Sequence, residues 1–276
     1  MKKSISNYVY DRYGENRFKY MKEDGFDACD FSLSETESAF YKNPKLLLEE
    51  KRLADEAGVE IFQVHGPWRY PPQDATEEER AERFEKMRLC LEMTKMLGCK
   101  YMVIHPIMPF GPDDDGDYDV FFKMNVDFFK KLIPHAEKNG VIICLENMPM
   151  KKLTIAPPKD TADLIYALDS EWVKMCLDTG HSIIREVQPA DALRKYSELI
   201  TTLHLHDNKG NRDWHYYPFD ERGIIDWADF SKALKEVLFK GTLDLEVVPN
   251  GDLDDVAHRQ ECKKLFDILN KIENPA

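Results

Sequence analysis

The stretch Cys176-Leu177-Asp178-Thr179-Gly180-His181 decides the fold of this chain. An apolar run from Val173 to Leu177 precedes Asp178, and a glycine turn then brings in His181. A short apolar run bounded by turn residues is typical of a strand buried on both faces. The stretch therefore predicts a buried strand that ends on a carboxylate, with an imidazole close behind it.

The same pattern recurs along the chain, and each recurrence ends on a residue type that binds metal ions. These strand ends are Val64-His65-Gly66-Pro67, Val103-Ile104-His105-Pro106, Leu145-Glu146-Asn147-Met148, Leu203-His204-Leu205-His206-Asp207 and Leu245-Glu246-Val247-Val248. Helical periodicity separates the apolar runs, as from Thr76, a good N-cap, to Leu97. The first strand is predicted at Ile5 to Tyr10, and Gly58 is predicted to cap a helix that begins at Pro44.

Eight strand patterns and eight helix patterns alternate from end to end, which favours a parallel α/β architecture. Glu146, Asp178 and His204 follow one another at intervals of roughly 30 residues, the usual length of a strand-helix unit. The chain has 276 residues, close to the typical size of about 250 for such a barrel. We predict a single (β/α)8 TIM-barrel domain over residues 1–276.

Composition limits the classes of partner. The net charge of −13 repels polyanions at long range and argues against a nucleic acid partner. No apolar run approaches the roughly 20 residues of a membrane span, and the first residues lack the apolar core of a secretory signal. Six scattered cysteines are typical of free thiols in a reducing cytoplasm, where we expect the protein to be located.

Four of the polar strand ends predict a metal site: Glu146, Asp178, His204 and Glu246. Because the carboxyl ends of barrel strands meet at one rim, we expect these side chains to converge. Three carboxylates and one imidazole suit one divalent metal, with Mn²⁺ or Mg²⁺ favoured and Zn²⁺ or Co²⁺ also acceptable.

Further polar residues are expected around this metal site, as substrate contacts or as ligands of additional metal ions. They are His65, His105, His181, Asp213 and His215, and their spacing does not decide between the two roles. Trp68 is expected to stack on a sugar face, and Arg212 to contact the substrate. His206 shares a strand face with His204, but we give it little weight as a ligand. Lys151 and Lys152 lie in a rim loop that could meet a phosphate group.

The segments VHGPW, VIHP, CLENM, CLDTGHS, HLHDN, DWH and LEVVP together resemble the xylose isomerase-like TIM-barrel superfamily of sugar (phosphate) isomerases and epimerases. The resemblance implies a metal-binding enzyme of carbohydrate metabolism that holds one divalent ion on Glu146, Asp178, His204 and Glu246. Its small-molecule sugar substrate would lose a proton next to a carbonyl and pass through an enediolate. We expect Glu146 and Glu246 to act as the catalytic base and acid.

Two other activities of the same superfamily stay open. An inosose-type cyclitol dehydratase would differ only in what leaves after proton abstraction. Endonuclease IV-type phosphodiesterases hold three zinc ions, and their additional ligands resemble His65, His105, His181, Asp213 and His215 here. Ketose 3-epimerases place an arginine six residues after the ligand histidine, where this chain has Gly210. The identity of the sugar, its phosphorylation and a homo-oligomeric state are therefore left open.

Overall fold

Eight parallel strands form the centre of the molecule. The computed structural model describes residues 1–68, 74–108, 117–150, 155–249 and 251–274. The strands are β1 (Lys3–Ser6), β2 (Ala28–Ser32), β3 (Glu60–His65), β4 (Tyr101–Ile104), β5 (Ile142–Glu146), β6 (Val173–Asp178), β7 (Ile200–His204) and β8 (Leu243–Leu245). They pair in the order β7-β6-β5-β4-β3-β2-β1-β8. A parallel bridge between Leu205 and Leu245 joins the two outer strands, so the sheet closes and the predicted barrel is confirmed.

Helices connect the strands of the barrel. Within the described ranges they are α1 (Arg17–Glu23), α2 (Ala39–Lys42), α3 (Leu47–Ala57), α4 (Glu77–Met96), α5 (Tyr118–Asn139), α6 (Pro158–Leu168), α7 (Thr179–Ile184), α8 (Pro189–Lys195), α9 (Trp227–Glu236) and α10 (Asp255–Glu273). Two 3₁₀ segments, Asn7–Asn16 and Pro44–Leu46, complete the set. None of these helices is both long and apolar enough to span a bilayer.

The helix ends follow the sequence signals. Thr76 caps α4 through a reciprocal pair of hydrogen bonds with Glu79, in which each side chain accepts from the other residue's backbone N–H. The last turn of α3 ends at Gly58, whose φ of 70° is left-handed. Both caps satisfy backbone groups that the helix itself leaves without a partner.

The predicted first strand is too long. β1 ends at Ser6, and residues Asn7–Asn16 turn into the 3₁₀ segment. Val9 and Tyr10 are buried there, so their apolar character fits a strand and a buried helical turn equally well. The short helices α2 and α7 were also not predicted. In α7 the expected glycine turn is the first helical turn, because the Asp178 carboxylate accepts a hydrogen bond from His181 N and caps it.

The inside of the barrel differs from the apolar layer between sheet and helices. Side chains alternate along a strand, so the residue two positions before each inward-facing strand end also faces inward. Those of the inner layer are Ser4, Asp30, Gln63, Val103, Cys144, Cys176, Thr202 and Asp244. All eight are buried. Two carboxylates thus lie directly beneath the rim. All six cysteines of the chain are buried and form no disulfide.

Candidate metal centre

The four predicted metal ligands meet at the carboxyl rim of the barrel. Glu146, Asp178 and His204 are the last residues of β5, β6 and β7, and Glu246 follows β8 directly. One ligand atom from each lies within 4.8 Å of the others. His204 Nδ1 is 3.3 Å from a Glu246 oxygen, 3.5 Å from a Glu146 oxygen and 3.9 Å from an Asp178 oxygen.

These ligand atoms are buried without the hydrogen bonds that buried polar atoms normally make. Both oxygens of Glu146, both ring nitrogens of His204 and Oε2 of Glu246 have no hydrogen-bond partner among the described residues. Glu146 is 1% exposed and His204 is fully buried. Leaving such atoms unpaired is costly, whereas a cation among the rim ligands would satisfy His204 Nδ1 together with the Glu146 and Glu246 oxygens beside it. The donor set therefore fits a divalent metal ion.

The carboxylates and imidazoles of the cluster shift one another's pKa values against the effect of burial. Burial would raise the pKa of the Glu146 carboxyl, but the neighbouring His204 and His105 hold it well below its usual range. Burial would lower the pKa of His204, but Cys176, Glu246 and Glu146 beside it raise that pKa well above its ordinary value. For Glu246 burial dominates and raises the pKa.

Asn147 and Gly180 fix the positions of the ligands on β5 and β6. The Asn147 side chain donates to Asp178 O and accepts from Asp178 N, both at 2.9 Å. These bonds tie the ends of the two strands together. Gly180 lets the start of α7 approach β7, because a Cβ at this position would lie 2.0 Å from His206 Cε1.

His65 and His105 lie on the other side of Glu146. Their Nε2 atoms are 3.7 Å and 3.3 Å from Glu146 Oε2. The His65 ring stacks on the His204 ring, with 5.5 Å between centroids and 12° between planes. Burial, with His105 close by, lowers the pKa of His65 to about 3, so its ring is neutral. His65, His105 and Glu146 form a second group of potential ligands.

A third group surrounds Asp213. Its Oδ2 lies 3.2 Å from His181 Nε2 and 3.0 Å from His215 Nε2. The Nδ1 atoms of both rings face backbone carbonyls, at 2.9 Å for Asn147 O and 2.7 Å for Glu246 O. A carbonyl only accepts hydrogen bonds, so both Nδ1 atoms carry hydrogen and both Nε2 atoms point at one carboxylate oxygen. Such a pairing requires either protonated rings or a cation between them.

In the third group, the pKa values of the side chains and one backbone angle depart from their ordinary values. Burial opposes protonation of His181 and His215, but the carboxylates around them raise the pKa of both rings, that of His215 to about 10. The same contacts lower the pKa of Asp213 against the effect of burial. His215 also has a left-handed φ of 48°, which a residue other than glycine adopts at a cost.

His206 has a larger part in this arrangement than the sequence suggested. It is fully buried, its Nε2 lies 2.9 Å from Asp178 Oδ2, and its ring stacks on His215 with 3.9 Å between centroids. It belongs to the same ligand group as His181, Asp213 and His215. Its two-residue spacing from His204 is the available signal, but the contact with His215 depends on how the loop after β7 folds back, with Asp207 paired to Tyr216.

A cavity of about 660 Å³ opens above the ligand groups. Its lining includes Glu146, Glu246 and several of the surrounding histidines, together with apolar residues that include Trp68, Met108, Met148, Pro149 and Met150. Trp68 is 45% exposed, and its ring lies 5.9 Å from the His105 ring. Arg212 lines the cavity with its guanidinium over the Trp214 ring at 5.1 Å. Lys151 and Lys152 lie outside the described residues.

A sequence model of the xylose isomerase-like TIM barrel family matches residues 18–267. The chain belongs to this family. Among its relatives, a D-psicose 3-epimerase from Enterocloster bolteae is 26% identical over 230 residues, which cover 80% of this chain and 72% of that protein. An uncharacterised protein from Sinorhizobium fredii is 25% identical over 172 residues, or 61% of this chain, and the chain spans about half of its length (53%).

Solved structures of the xylose isomerase-like family share the whole barrel. A D-tagatose 3-epimerase-like protein superposes with a TM-score of 0.80 at 24% identity, covering 99% of this chain and 98% of that one. The family assignment agrees with the resemblance drawn from the strand-end motifs. Related chains and structures include sugar epimerases, so the protein is a relative of enzymes that rearrange sugars.

Proposed function

We propose that the protein is a divalent-metal-dependent sugar isomerase or epimerase that removes a proton next to a carbonyl group. The observation that carries this proposal is the cluster of Glu146, Asp178, His204 and Glu246 at the floor of the cavity. In this cluster, buried polar atoms of Glu146, His204 and Glu246 have no hydrogen-bond partner among the described residues. Its membership in a family with sugar epimerases adds support.

Each of the four ligands has an assigned task in this proposal. Asp178 and His204 anchor the cation, which supplies Lewis-acid stabilisation of the negative charge that develops on the substrate. Glu246 takes and returns the proton, because it lines the cavity and is the most exposed of the four ligands, at 18%. Glu146 is the proposed partner acid or base.

The cavity favours a neutral sugar over a sugar phosphate. Among its described lining residues, Arg212 is the one lysine or arginine, and its guanidinium already covers Trp214. His181 is proposed to hold a substrate oxygen, and Trp68 to pack against an apolar sugar face. The cytoplasmic location and a homo-oligomeric state stay predictions.

Exchange of substrate hydrogen with solvent tests the proposed chemistry. With Mn²⁺ in ²H₂O, the wild-type protein should exchange the C–H hydrogen next to the carbonyl of at least one sugar in a panel of ketoses and aldoses. Glu246→Gln should lower this rate by about 10²–10⁴-fold, the usual contribution of a general base. Glu236→Gln is the matched control, because Glu236 pairs with Arg194 on the exposed surface.

Metal content must be measured for each variant before its rates are compared. A wild-type protein that holds metal but exchanges no hydrogen across the panel would disprove the sugar chemistry. If metal-loaded Glu246→Gln exchanges hydrogen at the wild-type rate, Glu246 does not take and return the substrate proton. Loss of water from the product instead of rearrangement would identify the dehydratase.

A second candidate function is metal-dependent phosphodiester hydrolysis. The groups His65–His105–Glu146 and His181–His206–Asp213–His215 adjoin the first group and offer ligands for more than one ion. The net charge of −13 counts against binding to DNA. Elemental analysis separates the candidates: one ion per chain favours the sugar enzyme, whereas three ions with cleavage of abasic DNA favour the hydrolase.

A further inference from the structure

The His204 ring stands between two sets of carboxylates. Its Nδ1 faces the rim ligands, whereas its Nε2 faces inward, 3.6 Å from Asp30 Oδ2. Asp30 belongs to β2 and is 3% exposed, and its Oδ1 has no hydrogen-bond partner among the described residues. The 3.6 Å separation is about half an ångström beyond an N–H···O bond. Asp30 is the one carboxylate within ion-pair distance of Nε2 in the described part of the chain.

An imidazole that binds a cation through one nitrogen must carry its hydrogen on the other. A carboxylate that accepts this hydrogen fixes both the tautomer and the ring orientation of a metal-binding histidine. The inward edge of His204 therefore needs an acceptor if its outward edge is to bind a metal. Asp30 occupies that position.

We propose that Asp30 is a positioning residue of the metal centre, whose carboxylate accepts the Nε2 hydrogen of His204 and so directs the Nδ1 lone pair toward the cation. This inference rests on the metal site of the proposed function, and it is independent of which reaction follows.

A purely structural role explains Asp30 less well. A buried carboxylate with few partners costs stability, and an amide or apolar side chain of similar size is often tolerated at such positions. Asp244, also buried in the inner layer, lies in the same group as Asp30 and His204. If Asp30 served only folding, its removal should lower stability. If it orients His204, its removal should weaken metal binding while stability is kept.

Three single variants separate these roles. Asp30→Ala removes the acceptor, and Asp30→Asn keeps an acceptor oxygen without the charge. Asp24→Asn is the control: Asp24 is an equally buried carboxylate, but it pairs with Arg259 and Tyr10, away from the cavity. Mn²⁺ affinity is measured by titration calorimetry on metal-free protein, and apo stability by thermal unfolding. NMR of ¹⁵N-labelled histidine reports the His204 tautomer.

Asp30→Ala should bind Mn²⁺ about 10–100-fold more weakly than the wild type, in the range usual for such outer partners. Its melting temperature without metal should not fall, and its His204 should lose the pure Nε2–H tautomer. Asp30→Asn should bind Mn²⁺ with an affinity between those of the wild type and Asp30→Ala. If Asp30→Ala does not fold, Asp30→Asn is used in its place. Asp24→Asn should melt at a lower temperature with unchanged affinity.

Two outcomes would overturn the inference in different ways. If the wild type binds Mn²⁺ and both Asp30 variants bind it equally well, the positioning role is wrong but the metal site stands. If the wild type binds no divalent cation, the metal-dependent function fails first, and the role of Asp30 fails with it.

Discussion

Replacing Gly180 by alanine tests whether close packing at the start of α7 holds the metal centre together. The added Cβ would lie 2.0 Å from His206 Cε1 and 2.6 Å from Asn208 Nδ2, where ordinary contacts are 3.4–4 Å. Relief requires a shift of about 1.4 Å or more, the difference between those contact distances. His206 cannot move freely, because it bonds to Asp178 and stacks on His215.

Overpacking of this kind usually costs about 1–3 kcal/mol. For a chain of this size it corresponds to a fall in melting temperature of roughly 2–5 °C. The clash also pushes on the residue that bonds to Asp178, so Mn²⁺ affinity should fall together with stability. Differential scanning calorimetry, with and without Mn²⁺, measures both effects on the same sample.

Gly58→Ala is the control for Gly180→Ala. Gly58 has a left-handed φ of 70°, and a Cβ there meets no atom within 4 Å. Its replacement should cost about 1 kcal/mol through backbone strain and leave Mn²⁺ affinity unchanged. If Gly180→Ala melts and binds Mn²⁺ like the wild type, the close contact between α7 and β7 does not support the site.

Two further predictions concern parts of the fold outside the metal ligands. Burial would raise the pKa of Glu273, but the hydrogen bond from Lys3 Nζ at 2.7 Å lowers it. A carboxyl whose pKa is lower in the folded state than in the unfolded state stabilises the fold at pH values above its unfolded pKa. This stabilisation is lost as the pH falls through the folded pKa. Glu273→Gln should therefore reduce the free energy of unfolding by about 1 kcal/mol at pH 7 and not at all near pH 2. Urea unfolding at the two pH values measures this difference, and an equal loss at both would contradict the prediction. Asp207 accepts hydrogen bonds from Ile224 N, Ile225 N and Trp227 Nε1. Asp207→Ala should therefore lower the free energy of unfolding by at least about 2 kcal/mol and speed proteolysis within 208–225. A digestion pattern identical to that of the wild type would show that the loop is anchored elsewhere.

The barrel and the convergence of its strand ends could be predicted because both depend on local patterns. Parallel strands of one barrel end at the same rim, and a period of two keeps successive inward residues in phase. Polar residues at the ends of buried runs, such as Glu146 and Asp178, therefore have to lie near each other once the strands are recognised. No contact between distant segments is needed for this conclusion.

The features that the sequence analysis missed depend on such distant contacts. Asn7–Asn16 carries buried apolar residues that suit a strand, and only packing decides for the 3₁₀ segment. His206 gains its position from His215, which the loop after β7 brings back to the barrel. Asp30 did leave a signal, an acid between the apolar residues Cys29 and Phe31 of β2, since a buried carboxylate needs a partner. The sequence does not show that this partner is His204 on a strand far from β2.

The inner layer and the rim together bring several carboxylates into one buried space. Carboxylates from β2, β5, β6 and β8 share one buried space with several imidazoles. Within it, burial raises the pKa of Asp244 well above its ordinary value, which favours the protonated acid there. The rim carboxylates Glu146 and Asp178 have lowered pKa values and stay charged, because neighbouring imidazoles outweigh burial. Protons on imidazoles and a divalent ion are thus alternative ways to balance the same carboxylates, and a bound ion would displace those protons.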